Sequence, residues 1–261
     1  MADERIPTAA AEGFQQGADA YEASRPSYPA AAVACIVGRA AVGPGRRVLD
    51  LAAGTGKLTR LLVPTGADVV AVEPVEAMRE VLREVCPDVE VLDGTAEDLP
   101  LGEATVDVVT VAQAFHWFDP PVALAEVARV LRPGGTLVLA WNTRDRSVGW
   151  VRDFGELLVD GDGERPFDSY HDVDHPAVVA EAGAGAFEAM AQWATDWVQP
   201  CDADMLVARA ASVSVVAALP QAERRVILDR VRDLTATHPD VAGRSAFGFP
   251  YTTRVYWARR R

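Results

Sequence analysis

The sequence predicts an α/β fold built on a doubly wound, mostly parallel sheet, and three observations carry that prediction. Short Val-rich apolar runs recur through the first half of the chain, amphipathic helical stretches separate them, and a Gly-rich turn follows the first run. Strands that read as continuous apolar runs belong in sheets covered on both faces. Strand–helix alternation with right-handed crossovers makes such a sheet parallel.

The elements follow in order. Residues 1–44 precede the first strand and are expected to fold over the mouth of the site as an N-terminal lid, with plain packing as the alternative. They carry Phe14, Tyr21, Arg25, Pro26, Tyr28 and Pro29, then a helix predicted over Ala30–Ala41 and ended by Gly43-Pro44-Gly45. A core is expected over 45–142. Val48, Leu49 and Leu51 mark the first strand, and Leu58, Leu61 and Leu62 share one face of the helix after the turn. Asp68–Glu73 reads as a second strand, and Val75, Met78, Val81, Leu82 and Val85 stripe a helix over 75–85. Val89–Leu92 and Val106–Ala112 are the third and fourth strands. A helix over 121–131 stops at Pro133-Gly134-Gly135, and Thr136–Trp141 is the fifth strand. Residues 143–248 read as a substrate-side insertion, polar and aperiodic as far as 186. A strand is expected within Phe187–Val198, with helices over Ala203–Ala211 and Gln221–Thr235. In the last segment, 249–261, Tyr251–Arg259 alternates toward a closing edge strand.

The 261 residues fit one α/β domain. A net charge of −13 argues against a nucleic-acid partner, because neutralising phosphates takes a basic surface. Cys35, Cys86 and Cys201 are widely spaced and suit free thiols in a reducing compartment. No basic-then-apolar leader is visible, and no apolar run reaches the ~18 residues that would span a bilayer. The expectation is a cytoplasmic protein with a small-molecule substrate and no membrane partner.

The turn at Asp50–Lys57 lies where open parallel sheets bind ligands. A phosphate loop fails, because Leu51 and Leu58 stand where it needs Gly and a hydroxyl residue. A dinucleotide fingerprint is weak, because Thr59 stands at the third-Gly position. S-adenosyl-L-methionine needs close backbone approach and carboxylates for its amine and ribose. Asp50 stands before the turn, and Glu73 lies nineteen residues past Gly54, near the roughly 20 that suits a ribose partner. An ordinary tight turn stays open on this stretch alone.

Four segments in order widen the case: Val48-Leu-Asp-Leu-Ala-Ala-Gly-Thr-Gly-Lys57, Val72-Glu73-Pro74 with Met78, Gly94-Thr-Ala-Glu-Asp-Leu-Pro100, and Leu131-Arg-Pro-Gly-Gly135. At the spacing of consecutive βα units they make the chain resemble class I S-adenosylmethionine-dependent methyltransferases, of the small-molecule, trans-aconitate methyltransferase-like group. The resemblance implies a seven-stranded, Rossmann-like methyltransferase sheet with strand seven antiparallel between five and six. It implies that Asp50, Ala52, Gly54 and Gly56 line the methionine part of the cofactor. By the same token Glu73 holds the ribose hydroxyls, Pro74 and Met78 pack on the adenine, and Ala96 and Glu97 lie at its edge. Thr95 stands where many relatives have Asp. Gln113 would meet the cofactor amine through its main chain. Tyr21 and Arg25 match a Tyr…Arg-Pro-x-Tyr-Pro run, Arg25 as partner of a carboxylate or as a structural ion pair.

His116, in Gln113-Ala-Phe-His-Trp-Phe118, is the candidate catalytic base, with a purely structural role as the alternative. Phe115, Trp117 and Phe118 could enclose a sulfonium. His171 and His175 mimic metal spacing without a third partner, so no metal is expected. The expected reaction is methyl transfer to oxygen or nitrogen ahead of carbon. The alternatives are an S-adenosylmethionine-binding protein with a non-methylating role, and a nicotinamide oxidoreductase. Thr59 and the lack of a Tyr-x-x-x-Lys speak against the latter, Lys57 being the only lysine.

Overall fold

The computed structural model describes Glu22 and residues 24–158, 173–217 and 219–261. Tyr21 and His171 lie outside the described residues. Seven strands among the described residues form one sheet in the order β3-β2-β1-β4-β5-β7-β6. They are β1 (Arg47–Leu51), β2 (Asp68–Val72), β3 (Glu90–Leu92), β4 (Val106–Ala112), β5 (Leu131–Arg144), β6 (Ala191–Cys201) and β7 (Phe247–Arg259). The first five pair in parallel, and β7 runs antiparallel between β5 and β6.

The Val-rich runs form strands because both faces of the sheet are covered. Leu49, Leu51, Val109, Val111, Leu137 and Leu139 pack in one cluster with Ala123, Leu124, Val127 and Val130 of the helix Pro120–Val130. Val48, Val69, Val108, Val138 and Ala140 pack in another with Ala32, Ile36 and Ala40 of the helix Ala30–Ala40, and with Leu58 and Leu62. Adjacent residues of a strand thus enter opposite layers, as the two-residue side-chain period requires.

Several boundaries differ from the sequence expectation. The helix after the Gly turn is one turn, Thr59–Leu62, continued by a 3-10 turn at Val63–Thr65, because Pro64 removes a backbone donor there. Pro133-Gly134-Gly135 is drawn into β5. Gly135 is required, since a Cβ there would lie 2.9 Å from the carbonyls of Arg132 and Asp107. Tyr251–Arg259, read as an edge from its alternation alone, lies between β5 and β6, where the resemblance put strand seven, and β6 forms the edge. Alternation shows one wet face but not how many neighbours a strand has. The aperiodic insertion holds helices Gly149–Glu156 and His175–Ala182. No helix among the described residues is long and apolar enough to cross a membrane.

Candidate functional site

The chain order reverses beside β1, with β2 and β3 on one side and β4 and β5 on the other. The carboxyl ends of strands at such a point form the ligand crevice of open sheets. A cleft of about 690 Å³, its open mouth included, lies there. That is within the roughly 300–1,000 Å³ typical of small-molecule sites. Its walls are the residues that follow four strands. Leu51 ends β1 and Ala52 and Gly54 follow it, and Glu73, Pro74, Val75 and Met78 come after β2. Gly94, Thr95, Ala96 and Glu97 come after β3, and Ala112, Gln113, Ala114, Trp117 and Phe118 from the end of β4 onward.

The backbone is bent sharply on both sides of the crevice. Ala52 has φ 53° and Gln113 φ 62°, left-handed conformations that side chains disfavour by about 1–2 kcal/mol. Gln113 is held there by its N–H to the Ala140 carbonyl at 2.9 Å and by its Nε2 to the Asn142 carbonyl at 3.3 Å. The two glycines of the turn divide their work. Gly54 (φ 57°) lines the cleft, and its N–H donates to Glu73 Oε2 at 2.9 Å. Gly56 (φ 82°) does not line it, and a Cβ there would lie 3.1 Å from Leu82 Cγ. It is glycine so that the turn can pack against the helix Glu76–Val85.

Glu73 is the pivot of the cleft. Only 4% exposed, it accepts from Gly54 N–H on one carboxylate oxygen and from Val75 N–H, at 2.9 Å, on the other. Burial pushes its carboxyl up to about 7, against the pull of those two N–H groups and the Arg79 guanidinium. A carboxyl perturbed by desolvation in a cleft is a candidate for a functional site. Each oxygen keeps a further acceptor direction.

Asp50 takes a different place from the one expected of it. It is 1% exposed and does not line the cleft. Its oxygens accept from Thr59 Oγ1 at 2.6 Å and Thr110 Oγ1 at 2.8 Å. Burial raises its carboxyl to about 6, the two hydroxyls opposing. Asp50 therefore ties the end of β1 to the helix after the turn and to β4, and shapes the crevice from behind.

The remaining expected residues divide. Pro74, Met78, Thr95, Ala96, Glu97 and Gln113 all line the cleft, and Glu97 also accepts from Asp119 N–H at 3.0 Å. Arg25 points elsewhere, donating to the hydroxyl and carbonyl of Ser212 at 3.1 and 3.0 Å. His116 sits in the 3-10 turn Phe115–Trp117, its ring 4.7 Å from that of the cleft residue Trp117, and is not itself in the wall. His175 is 3% exposed and stacks on Trp141 at 3.8 Å.

Glu22 escaped the sequence reading. Its carboxylate accepts from Thr55 Oγ1 at 2.6 Å and Arg60 Nη1 at 2.7 Å, and its carbonyl from Lys57 Nζ at 2.6 Å. Burial acts to raise its pKa, but Arg60, Thr55 and Lys57 outweigh that and hold the carboxyl below its ordinary value. Glu22 is thus clamped to the Gly turn and the helix after it. Lys57 lies in the turn and Arg60 on the helix Thr59–Leu62, and their spacing did not point to a partner more than thirty residues earlier. Val75, a backbone partner of Glu73, left no signal at all.

The chain as a whole is similar to known proteins. Residues 49–139 match the family described as Methyltransferase domain. The chain is 45% identical over 241 residues to an uncharacterised methyltransferase of Mycobacterium bovis, covering 92% of each chain. Among solved structures it is similar to one described as a methyltransferase from an antibiotic biosynthesis pathway of Anabaena variabilis. The TM-score is 0.63 at 21% identity, covering 89% of this chain and 98% of that one. It is likewise similar to one described as a type II methyltransferase of Anaeromyxobacter dehalogenans. There the TM-score is 0.58 at 26% identity, covering 91% and 97%.

Proposed function

We propose that this chain, which belongs to the class I S-adenosylmethionine-dependent methyltransferases, methylates an oxygen or nitrogen atom of a small organic acceptor. When bound, S-adenosyl-L-methionine supplies a methyl group already activated by the positive sulfur that carries it. The observation that carries the reading is Glu73, a buried carboxylate in the cleft wall held by the Gly54 and Val75 N–H groups.

The residues present fit that cofactor. Glu73 accepts from the two ribose hydroxyls through its remaining lone pairs. Pro74, Val75, Met78 and Ala96 make an apolar slot for the adenine, with the Thr95 hydroxyl and Glu97 at its edge. Ala52, Gly54 and the Gln113 main chain face the methionine part, while Asp50 and Gly56 hold the turn in shape. Arg25, which donates to Ser212, has no part in holding the cofactor.

What these residues do for the reaction is mainly alignment, which supplies several kcal/mol, up to about 7–11 in favourable cases. Trp117 and Phe118 exclude water from the cleft. His116, beside Trp117, accepts the proton that the acceptor loses. An imidazole base suits an O–H or N–H acid and not an ordinary C–H, hence oxygen or nitrogen. A small acceptor is in keeping with the chain's negative charge, which repels polyanions.

Calorimetric titration with S-adenosylmethionine and with NADH, followed by a methyl-release assay over a metabolite panel, tests the proposal. Binding of the first and not the second is expected, with turnover on oxygen or nitrogen acceptors. His116→Ala should lower turnover about 10²–10⁴-fold with cofactor affinity retained. Unchanged turnover removes His116 from the role.

A further inference from the structure

A second cluster of charged and polar groups lies at the carboxyl end of β5, and cofactor binding uses none of its central residues. Arg209, on the helix Ala203–Ala211, is 1% exposed and heads the fully buried side chains by volume. Its hydrogen-bond partners are all neutral. Nε and Nη2 donate to the Ser24 carbonyl at 3.0 and 2.8 Å, Nη2 to Gln199 Oε1 at 2.7 Å, and Nη1 to the Tyr251 hydroxyl at 2.5 Å. The guanidinium lies 4.7 Å from the centre of the Phe249 ring. No carboxylate among the described residues pairs with it. Burial lowers its pKa, yet a guanidinium stays charged at any ordinary pH. A buried charge without a counter-charge is costly, and neutral acceptors and a ring face repay only part of that cost.

Two donors in this cluster are not used by the described residues. Nη1 carries two protons and gives one to Tyr251. The Tyr251 oxygen accepts that proton, and its own O–H has no acceptor among the described residues. These two donors adjoin each other, so a single oxyanion could accept from both. Two more guanidinium groups stand close by. Arg144, 7% exposed, pairs with Tyr251 in the β5–β7 register and lies over the Phe154 ring at 5.2 Å. Arg25 donates to Ser212, just past the Arg209 helix. The charges of Arg209, Arg144 and Arg25 all act on the Tyr251 phenol. In a chain of net charge −13, this focus of positive charge is the reverse of its surroundings.

The cluster borders the cofactor cleft. The Asn142 carbonyl accepts from the side chain of Gln113, a cleft residue, and Arg144 follows two residues later, about 7 Å along the strand.

We propose that Arg209 Nη1 and the Tyr251 hydroxyl, backed by Arg144 and Arg25, bind an oxyanion of the methyl acceptor, a carboxylate or a phosphate. The inference rests on the methyl-transfer reading and narrows its acceptor. The bound oxyanion is a handle and not the methylated atom, because lone pairs engaged by a guanidinium make a poor nucleophile. The acceptor therefore carries both an anionic group and a separate oxygen or nitrogen nucleophile.

The test uses the full chain loaded with S-adenosylhomocysteine, titrated with benzoate, phenyl phosphate and neutral benzamide and followed by calorimetry and side-chain arginine NMR signals. At least one anion should bind about tenfold or more tightly than benzamide. Tighter benzoate identifies a carboxylate handle, and tighter phenyl phosphate a phosphate handle. Tyr251→Phe, which removes one hydroxyl, should weaken that anion about fivefold or more while S-adenosylhomocysteine affinity stays within twofold. Arg209→Lys should weaken the anion at least tenfold if it folds, and Tyr251→Phe decides the question if it does not. Equal binding of all three probes, or anion binding unchanged in Tyr251→Phe, overturns the proposal. Failure of the wild-type chain to bind S-adenosylhomocysteine would instead sink the methyl-transfer reading, and the same anion titration without it judges the handle separately.

Discussion

The parallel strands β1 to β5 and the antiparallel pair β7 and β6 share one sheet but are stabilised differently. In β4 every residue from Val106 to Val111 is buried, whereas along β6 exposed and half-buried residues alternate and Val198 is 59% exposed. The parallel strands are covered by helices adjacent in sequence. The closing pair is covered partly by residues distant in the chain: Phe249 and Tyr251 pack with Trp150, Phe154, Leu206 and Val231. The cleft is thus specified by short βα units, and the closing pair by contacts across a long insertion.

The comparison can be broken or sharpened, beginning with the largest effect. Glu73→Ala removes the carboxylate on which the cofactor side turns. Two charge-assisted hydrogen bonds at roughly 1.5 kcal/mol each predict about 100-fold weaker S-adenosylhomocysteine binding by calorimetry. An unchanged affinity would remove Glu73 from the ribose role.

The pH dependence comes next. With the Glu73 carboxyl at about 7, its ionised fraction rises from about a tenth at pH 6 to nine-tenths at pH 8, so cofactor affinity should rise about tenfold over that range. Glu73→Gln should flatten the profile. The sign for stability is opposite. A carboxyl whose pKa is raised in the fold holds its proton more tightly there. Its contribution is therefore fully present below its ordinary value of 4.5 and is lost as pH rises through about 7. Asp50 acts likewise between 3.8 and about 6. Thermal denaturation of the ligand-free chain at stepped pH checks both, with Glu73→Gln as the control.

Gly56→Ala should destabilise by about 1–2 kcal/mol from its left-handed backbone, with more from the approach to Leu82, read from the urea midpoint. Cofactor affinity of the folded variant should stay within about threefold, because Gly56 packs the turn and does not line the cleft. The smallest effect belongs to the closing edge. Val198→Thr, on the exposed face of β6, should change stability by no more than about 0.5 kcal/mol. A larger loss would mean that this face is covered in solution.

How much of this was legible follows from the range of each interaction. Val48, Leu49 and Leu51, the turn glycines and Glu73 were readable because strand, turn and acid lie within about twenty residues of one another and their spacing is set by βα geometry. Which glycine faces the ligand was not readable, because that depends on Leu82, a neighbour only in the folded chain. Asp50 shows the same limit. Its position after the first strand was apparent, but its direction was set by the hydroxyls of Thr59 and Thr110, nine and sixty residues away.

By itself the sequence determined the parallel core, the place of the cleft and the family, because these follow from side-chain periods and short-range turn chemistry. Only the tertiary structure decided that Arg25 binds Ser212, that Glu22 clamps the Gly turn, and that Arg209 meets Tyr251. Those pairings span tens to nearly two hundred residues. Local sequence carries no trace of such a contact, because it exists only once the sheet and the helices of the insertion have packed.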